Sequence, residues 1–268
     1  MLRRVLTFIM AGGKGERLLP LTKDRAKPAV PFGGTYRIID FALSNCINSG
    51  LRKIHVLIQY KSSSLAYHLR MGWGVFEPEL GEYIDVIPAQ QRTGDYWYRG
   101  TADAIYQNMN AIQDEQPDHV LVLAGDHIYK MNYAQMFDEH AAHEAAVTVG
   151  VIEMERERAK GGFGIVEVDA EGRIIGFEEK PANPKTIPGE PNRCYVSMGI
   201  YLFNRDLLEE VLVRDAQRSD SSHDFGRDII PRVARTARVM TYNFKDENKK
   251  GSKYWRDIGT LDAYYEAN

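Results

Sequence analysis

Short apolar runs rich in β-branched residues alternate along the chain with segments whose apolar positions recur at helical spacing. That alternation predicts a sheet covered by helices. Val5 to Ala11 is the first predicted buried strand. Tyr36 to Asn48 carries Ile38, Ile39, Ala42, Leu43, Cys46 and Ile47 on a helical stripe, with Gly50 as the left-handed stop, and Lys53 to Ile58 is the second strand. Thr101 is the predicted N-cap of a helix with Ile105, Met109 and Ile112 on one face. A polar turn at Pro117-Asp118 leads from it into the strand Val120 to Ala124. Ala146 to Val151 is another strand, and Ile165 to Val168 with Arg173 to Phe177 reads as a hairpin across Asp169-Ala170-Glu171-Gly172. Pro181, Pro184, Pro188 and Pro191 confine their segment to a surface loop, because each removes a backbone donor. Tyr195 to Phe203 resumes as a strand, Asp206 to Val213 as a helix, and a last helix begins at Thr260. The predicted sheet is therefore mixed, most of its strands parallel, with helices on its faces.

Length and composition make this one large α/β domain over residues 1–268, since 268 residues at 44% hydrophobic content can bury a full core. A net charge of -3 provides no global basic field for a phosphate polymer or an anionic membrane surface, so neither nucleic acid nor membrane is an expected partner. Two cysteines, Cys46 and Cys194, are too few for a disulfide framework or a cysteine metal site, which fits a reducing cytoplasm. Arg3 and Arg4 before the apolar run to Ala11 imitate a signal peptide. The run is short, however, and flows straight into Gly12-Gly13-Lys14-Gly15 without a cleavage pattern.

That opening carries the first candidate chemistry. A strand leading into Gly12-Gly13-Lys14-Gly15-Glu16-Arg17 puts flexible backbone and two cations at the carboxyl end of a parallel strand, where α/β folds bind ligands. The spacing matches neither a P-loop nor the dinucleotide fingerprint, and a tight turn with no ligand would read the same way. The continuation Arg25-Ala26-Lys27-Pro28-Ala29-Val30-Pro31 stiffens a loop with two prolines while presenting Lys27, and held cations suit a triphosphate.

Ala11 to Leu18 followed by Ala26-Lys27-Pro28 is similar to the signature of the sugar-nucleotide pyrophosphorylases. Within them, Phe41 to Gly50, Trp97 to Ala104, Gly125 to Lys130 and Tyr254 to Thr260 resemble the bacterial glucose-1-phosphate adenylyltransferases. The resemblance covers the whole chain in separate, ordered motifs. It implies a Rossmann-like nucleotidyltransferase domain that makes ADP-glucose and pyrophosphate from ATP and α-glucose 1-phosphate, for glycogen synthesis, with Mg²⁺.

Asp126 ends a strand after a glycine, and Asp257 sits in a short loop before the final helix. Two such hard oxygen ligands suit Mg²⁺, which typically takes one or two carboxylates plus substrate phosphates, although turn or cap roles would account for each alone. The resemblance assigns both to the metal. It further implies that Arg17, Lys27 and Asp126 serve catalysis. Gly12, Gly13, Gly15, Gln90, Gln91, Gly100 and Thr101 are implied to contact the nucleotide, and Tyr98, Gly164, Glu179, Lys180 and Ser197 the glucose 1-phosphate. An exposed ion pair at Glu179-Lys180 and a bulge glycine at Gly164 are the plain alternatives. The attacking phosphate oxygen is already anionic, so no catalytic histidine is expected.

Other constellations read as structure. His140 and His143 are expected on a solvated helix face. Ser221-Ser222-His223-Asp224 reads as the cap of a helix beginning near Asp224, and Tyr96-Trp97-Tyr98 as a sugar-binding or core element. The resembled family forms homotetramers with a C-terminal left-handed β-helix that also helps build an effector site. Nothing here corresponds to that part, so the expectation is a fragment or a stripped-down catalytic unit. Asp24 and Pro31 stand where some relatives carry basic activator-binding residues.

Overall fold

The computed structural model describes residues 2–246, 251–252 and 254–268. In chain order, the strands and helices begin with β1 (Val5–Met10), β2 (Pro31–Phe32), β3 (Tyr36–Arg37), α1 (Ile39–Asn48), β4 (Lys53–Ile58), α2 (Ser63–Gly72) and β5 (Tyr83–Pro88). They continue through α3 (Thr101–Tyr106), α4 (Met109–Glu115), β6 (His119–Ala124), β7 (His127–Tyr129), α5 (Tyr133–Ala142), β8 (Val147–Glu155) and α6 (Arg156–Ala159). Next come β9 (Gly164–Val168), β10 (Ile174–Glu179), β11 (Arg193–Asn204), α7 (Arg205–Ala216) and α8 (Ile230–Val233). The chain ends with β12 (Val239–Asn243), β13 (Lys245–Asp246), β14 (Gly251–Ser252), β15 (Trp255–Asp257) and α9 (Leu261–Ala267).

These elements divide between two compact units, one of residues 1–97, 122–134 and 254–268, the other of residues 98–121 and 135–253. In the first unit β4 pairs in parallel with both β1 and β5, and β6 follows β1 in the strand order. Side chains on both faces of β1 are buried, as expected of a parallel strand covered on both sides. In α1, Ile39, Ala42, Leu43 and Cys46 supply the buried stripe, and Gly50 is left-handed at φ 85. The helix starts later than its apolar periodicity predicts. Tyr36 and Arg37 pair with Pro31 and Phe32 across a turn in which Gly33 and Gly34 have positive φ, and the Arg37 amide donates to Asp40 Oδ2 at 2.8 Å.

The second unit is built largely from antiparallel pairs: β11 with β8 and β9, and β9 with β10. β12 runs parallel to β8. The predicted hairpin is present, with Gly172 left-handed in its turn. The predicted helix from Thr101 is two helices, because Asn108 Nδ2 donates to the Ala104 carbonyl at 2.8 Å and the path breaks at Gln107-Asn108. Together the two units carry parallel and antiparallel strands flanked by helices, a mixed α/β architecture.

His140 departs from its expected solvated position. It is buried, with Nδ1 2.7 Å from Thr148 Oγ1 and Nε2 2.9 Å from Asn204 Oδ1, and its ring meets His119 edge to face. Burial lowers the pKa of both imidazoles, outweighing the bond from Asn204 at His140 and the Asp118 carboxylate at His119. Histidines held neutral in the fold take up protons on unfolding. Their contribution is therefore complete above the ordinary value of 6.5 and is lost as pH falls below it. The unfolding temperature is expected to drop between about pH 7 and about pH 5, and His140→Gln to flatten that drop. Parallel melting curves for the two proteins across this range would contradict the assignment.

Candidate active site

In the first unit, β1 runs into a loop shaped by Gly15, whose φ of 65 is left-handed. A Cβ there would lie 3.1 Å from Thr22 Cγ2 and 3.2 Å from Lys27 Cβ, so the loop closes tightly on the Lys27 segment. Thr22 Oγ1 donates to the Gly15 carbonyl at 2.7 Å, and Lys61 Nζ donates to the Thr22 carbonyl at 2.7 Å. Gly12 backs onto Gln59, Gly13 has open space around it, and the Lys14 ammonium lies over the Tyr60 ring.

Lys27 opens a short helical turn whose second residue is Pro28, and is only 8% exposed. Its Nζ donates to Asp126 Oδ2 at 2.6 Å and to Asp257 Oδ1 at 2.9 Å, joining residues 99 and 230 positions away. Gly125 makes room for Asp126: a Cβ would fall 3.0 Å from both Ile9 Cγ2 and the Met10 carbonyl oxygen. Asp257 arrives through the antiparallel pairing of β15 with β7, in which it faces His127. The Arg17 guanidinium joins the same corner, since a Cβ on Gly259 would lie 3.6 Å from Arg17 Nη1 and 3.3 Å from Asp257 Oδ2.

One buried cluster sets this geometry. Leu18, Val30, Phe32, Ile38, Ile128 and Ile258 pack together, so Arg17, His127 and Asp257 each precede a member of the cluster and Lys27 lies three residues before one. Burial by itself would lower the Lys27 pKa, but the Asp126 and Asp257 carboxylates outweigh it and the value is raised. Burial would likewise raise Asp126, yet Lys27 and His127 hold its carboxyl down at about 2. Lys27 and Asp126 are thus both charged near neutral pH.

Ligand atoms of Asp126, His127 and Asp257 lie within 4.8 Å of one another. Two carboxylates offering hard oxygen donors, with an ammonium already drawn between them, fit a divalent cation. His127 Nε2 is 3.4 Å from Asp126 Oδ1 and 3.8 Å from Asp257 Oδ1, while its buried Nδ1 has no hydrogen-bond partner among the described residues. His127 falls inside the motif Gly125 to Lys130, and its adjacency to Asp126 is the signal in the chain for its place here. Gln90 and Gln91 are exposed beyond β5, with Gln91 left-handed at φ 53.

The second unit carries the remaining candidates. Glu179 pairs with Gly164 across β10 and β9, and a Cβ on Gly164 would lie 2.6 Å from Phe177 Cζ and 3.0 Å from Glu179 Oε2. Glu179, half-buried, and Lys180, exposed, form an ion pair at 3.0 Å, with Lys180 held at φ 51. Ser197 sits at a register shift of β11, with Oγ 3.4 Å from the Tyr201 hydroxyl. Burial first, then the Asp224 and Glu179 carboxylates, push the Tyr201 phenol up, so Tyr201 belongs to the same neighbourhood. Tyr98 accepts from Asn108 Nδ2 at 2.9 Å and is raised by burial against that bond. Gly100 and Thr101 begin α3, but Thr101 is not its side-chain cap; the His223 carbonyl accepts from the Ala102 amide at 2.8 Å instead. Asp224 does cap the turn that follows it, accepting from the Gly226 and Arg227 amides.

A strand-end glycine loop, a buried lysine and two converging carboxylates are the apparatus of a phosphate-handling transferase, and the nucleotidyl transferase family profile matches residues 6–268. The chain belongs to that family. It is 54% identical over its full length to a protein of Rhodopirellula baltica named glucose-1-phosphate adenylyltransferase, covering 60% of that protein. It is 53% identical to glucose-1-phosphate adenylyltransferase 2 of Alkalilimnicola ehrlichii, over 99% of this chain and 63% of that one. With the protein of the same name from Vibrio vulnificus the identity is 54%, over 98% and 66%. The chain thus spans about three-fifths to two-thirds of the length of these relatives.

Proposed function

We propose that this chain transfers the adenylyl group of ATP to α-glucose 1-phosphate, releasing pyrophosphate and forming ADP-glucose, the activated sugar for glycogen. The observation that carries the reading is the Lys27 ammonium held between the Asp126 and Asp257 carboxylates beside the glycine loop. Similarity along the whole chain to proteins named for this activity supports it. A bound divalent ion, taken to be Mg²⁺ on Asp126 and Asp257, supplies charge neutralisation for the reacting phosphates.

The chain's own residues do the rest by binding and orientation. The backbone of Gly12, Gly13 and Gly15 receives the triphosphate, and Arg17 and Lys27 hold its charge. Gln90, Gln91, Gly100 and Thr101 contact base and ribose. Tyr98, Gly164, Ser197 and Glu179 receive the sugar, Glu179 as acceptor for its hydroxyls, and Lys180 neutralises the incoming phosphate. A phosphate oxygen of glucose 1-phosphate forms the new bond to the α-phosphorus. The bond from that phosphorus to its bridging oxygen breaks, and pyrophosphate departs with the electron pair. No proton has to be removed from the nucleophile, so positioning and charge stabilisation suffice. A cytoplasmic setting fits these substrates; no helix among the described residues is long and apolar enough to cross a membrane.

Pyrophosphate formation should be measured with glucose 1-phosphate and ATP, UTP, dTTP or GTP in turn. ATP is expected to exceed the others by at least about tenfold in kcat/KM, because base recognition leaves buried polar groups unpaired with the wrong nucleotide. A faster reaction with another nucleotide would overturn the choice of ATP. No pyrophosphate from any pair would overturn the enzymatic reading.

A further inference from the structure

The segment Ser221-Ser222-His223-Asp224 is wholly polar, yet His223 is only 4% exposed and left-handed at φ 54. A non-glycine residue persists in that conformation when its surroundings over-determine it. Here they do. Asp215, buried in the last turn of α7, meets His223 Nδ1 at 2.8 Å through Oδ2, and its Oδ1 accepts from Ser221 Oγ and from Arg232 Nη1, both at 2.7 Å. Ser221 Oγ in turn accepts from the His223 amide at 3.0 Å. Asp228 Oδ2 accepts from the Ser222 amide at 3.1 Å, from Ser222 Oγ at 2.5 Å and from the Asp224 amide at 3.2 Å. Arg232 Nη2 reaches Asp228 Oδ1 at 3.3 Å, so one guanidinium bridges both aspartates.

The fixed segment has two outputs. On one side the His223 carbonyl accepts from Ala102 N at 2.8 Å and lies 3.4 Å from Asp103 N. Gly100 presses so close that a Cβ would fall 2.3 Å from that oxygen and 2.4 Å from the Ser222 carbonyl oxygen. Thr101 Oγ1 donates to Asp224 Oδ2 and accepts from the Phe225 amide, both at 3.0 Å. On the other side Phe225 stacks on Tyr201 at 5.5 Å, and Tyr201 neighbours Ser197 and Glu179.

We propose that His223 and Asp215 are positioning residues, a brace that sets Gly100-Thr101 and Tyr201-Ser197 through one rigid segment, so that the nucleotide and sugar subsites are aligned together. Neither residue touches substrate. The inference rests on the subsite assignments of the proposed function.

Its test uses the whole chain. His223→Ala is expected to speed amide hydrogen exchange at Ala102 by at least about tenfold, since its carbonyl partner is released. KM for ATP and KM for glucose 1-phosphate should rise together, each about fivefold or more, with kcat within about twofold, the pattern of lost uniform binding. Asp215→Ala should do the same, and Asp215→Asn, which keeps the shape and an acceptor for Ser221, should recover most of the loss. Should His223→Ala fail to fold, His223→Asn tests the same point, because asparagine tolerates positive φ. Unchanged exchange at Ala102, or faster exchange with both KM values within twofold of the parent, would overturn the brace. Failure of the subsite assignments looks different: Thr101→Val and Glu179→Gln would then leave both KM values unaltered in a chain whose Ala102 exchange still responds to His223→Ala.

Discussion

Asp126→Asn is expected to lower pyrophosphate release from ATP and glucose 1-phosphate by a factor on the order of a thousand, the scale on which loss of a charge-stabilising group acts in such a step. The substitution keeps the shape of the side chain and removes only its charge. Lys27 retains Asp257 at 2.9 Å, so the ammonium does not become a buried charge without a partner. Folding stability should fall by about 2 kcal/mol, the scale of one charge-assisted hydrogen bond. Divalent-ion affinity, read by calorimetry without substrate, should fall in the same variant because half of the carboxylate pair has lost its charge. Turnover within tenfold of the parent would show that Asp126 has no part in holding the metal or the phosphates.

Lys27→Met has the second large effect, and it moves stability and metal binding in opposite senses. Without the ammonium, Asp126 and Asp257 face each other as like charges in a corner about three-quarters shielded from water. The expected cost at neutral pH in the presence of chelator is on the order of 2–4 kcal/mol. A divalent ion should restore most of that, and raise the melting temperature more than it does for the parent, because the competing cation is gone. ATP turnover should still fall by about a hundredfold or more, since the triphosphate has lost a fixed positive charge.

The pH dependence of that variant follows from the sign of the shifts. In the parent, the carboxyl of Asp126 is held at about 2 against an ordinary 3.8. Its stabilising contribution is therefore present above 3.8 and is lost as pH falls toward 2. The Lys27 shift is upward, so its contribution is complete below 10.5 and is lost only at higher pH. The stability gap between parent and Lys27→Met should accordingly be constant around neutrality and close in acid, as urea unfolding midpoints would record. A gap that persists unchanged below pH 3, with no response to divalent ions, would mean that Lys27 acts through packing alone.

Local signals in the chain account for much of this molecule. The β-branched run of β1, the stripe of α1 with Gly50 behind it, the hairpin around Gly172 and the Asp224 cap all form where short-range rules place them. These features depend on neighbours a few residues apart. Elements without such a signature escaped the same reading. β7 and β15 are three residues each and carry no periodicity, and α2 and β5 lie in a stretch of mixed polarity that offers no clean period. His140 read as solvated because Thr148 and Asn204, which satisfy its two nitrogens, come from other elements. Thr101 read as a cap because nothing local shows that a carbonyl 122 positions downstream already fills that role.

The residue types of the candidate site were legible from the chain alone: a glycine loop with Arg17, a proline-stiffened Lys27, an aspartate after Gly125 and another before the last helix. Which of them touch was not. Lys27 meets Asp126 and Asp257 because β6 delivers one carboxylate, the β7–β15 pairing delivers the other, and the cluster around Val30, Ile128 and Ile258 locks the three segments together. Composition and spacing act over a few residues, whereas convergence depends on burying distant apolar side chains in one place. Only the tertiary structure therefore decides where the charges stand, how far their pKa values move, and that His127 lies beside Asp126 and Asp257 while His223 meets the buried Asp215.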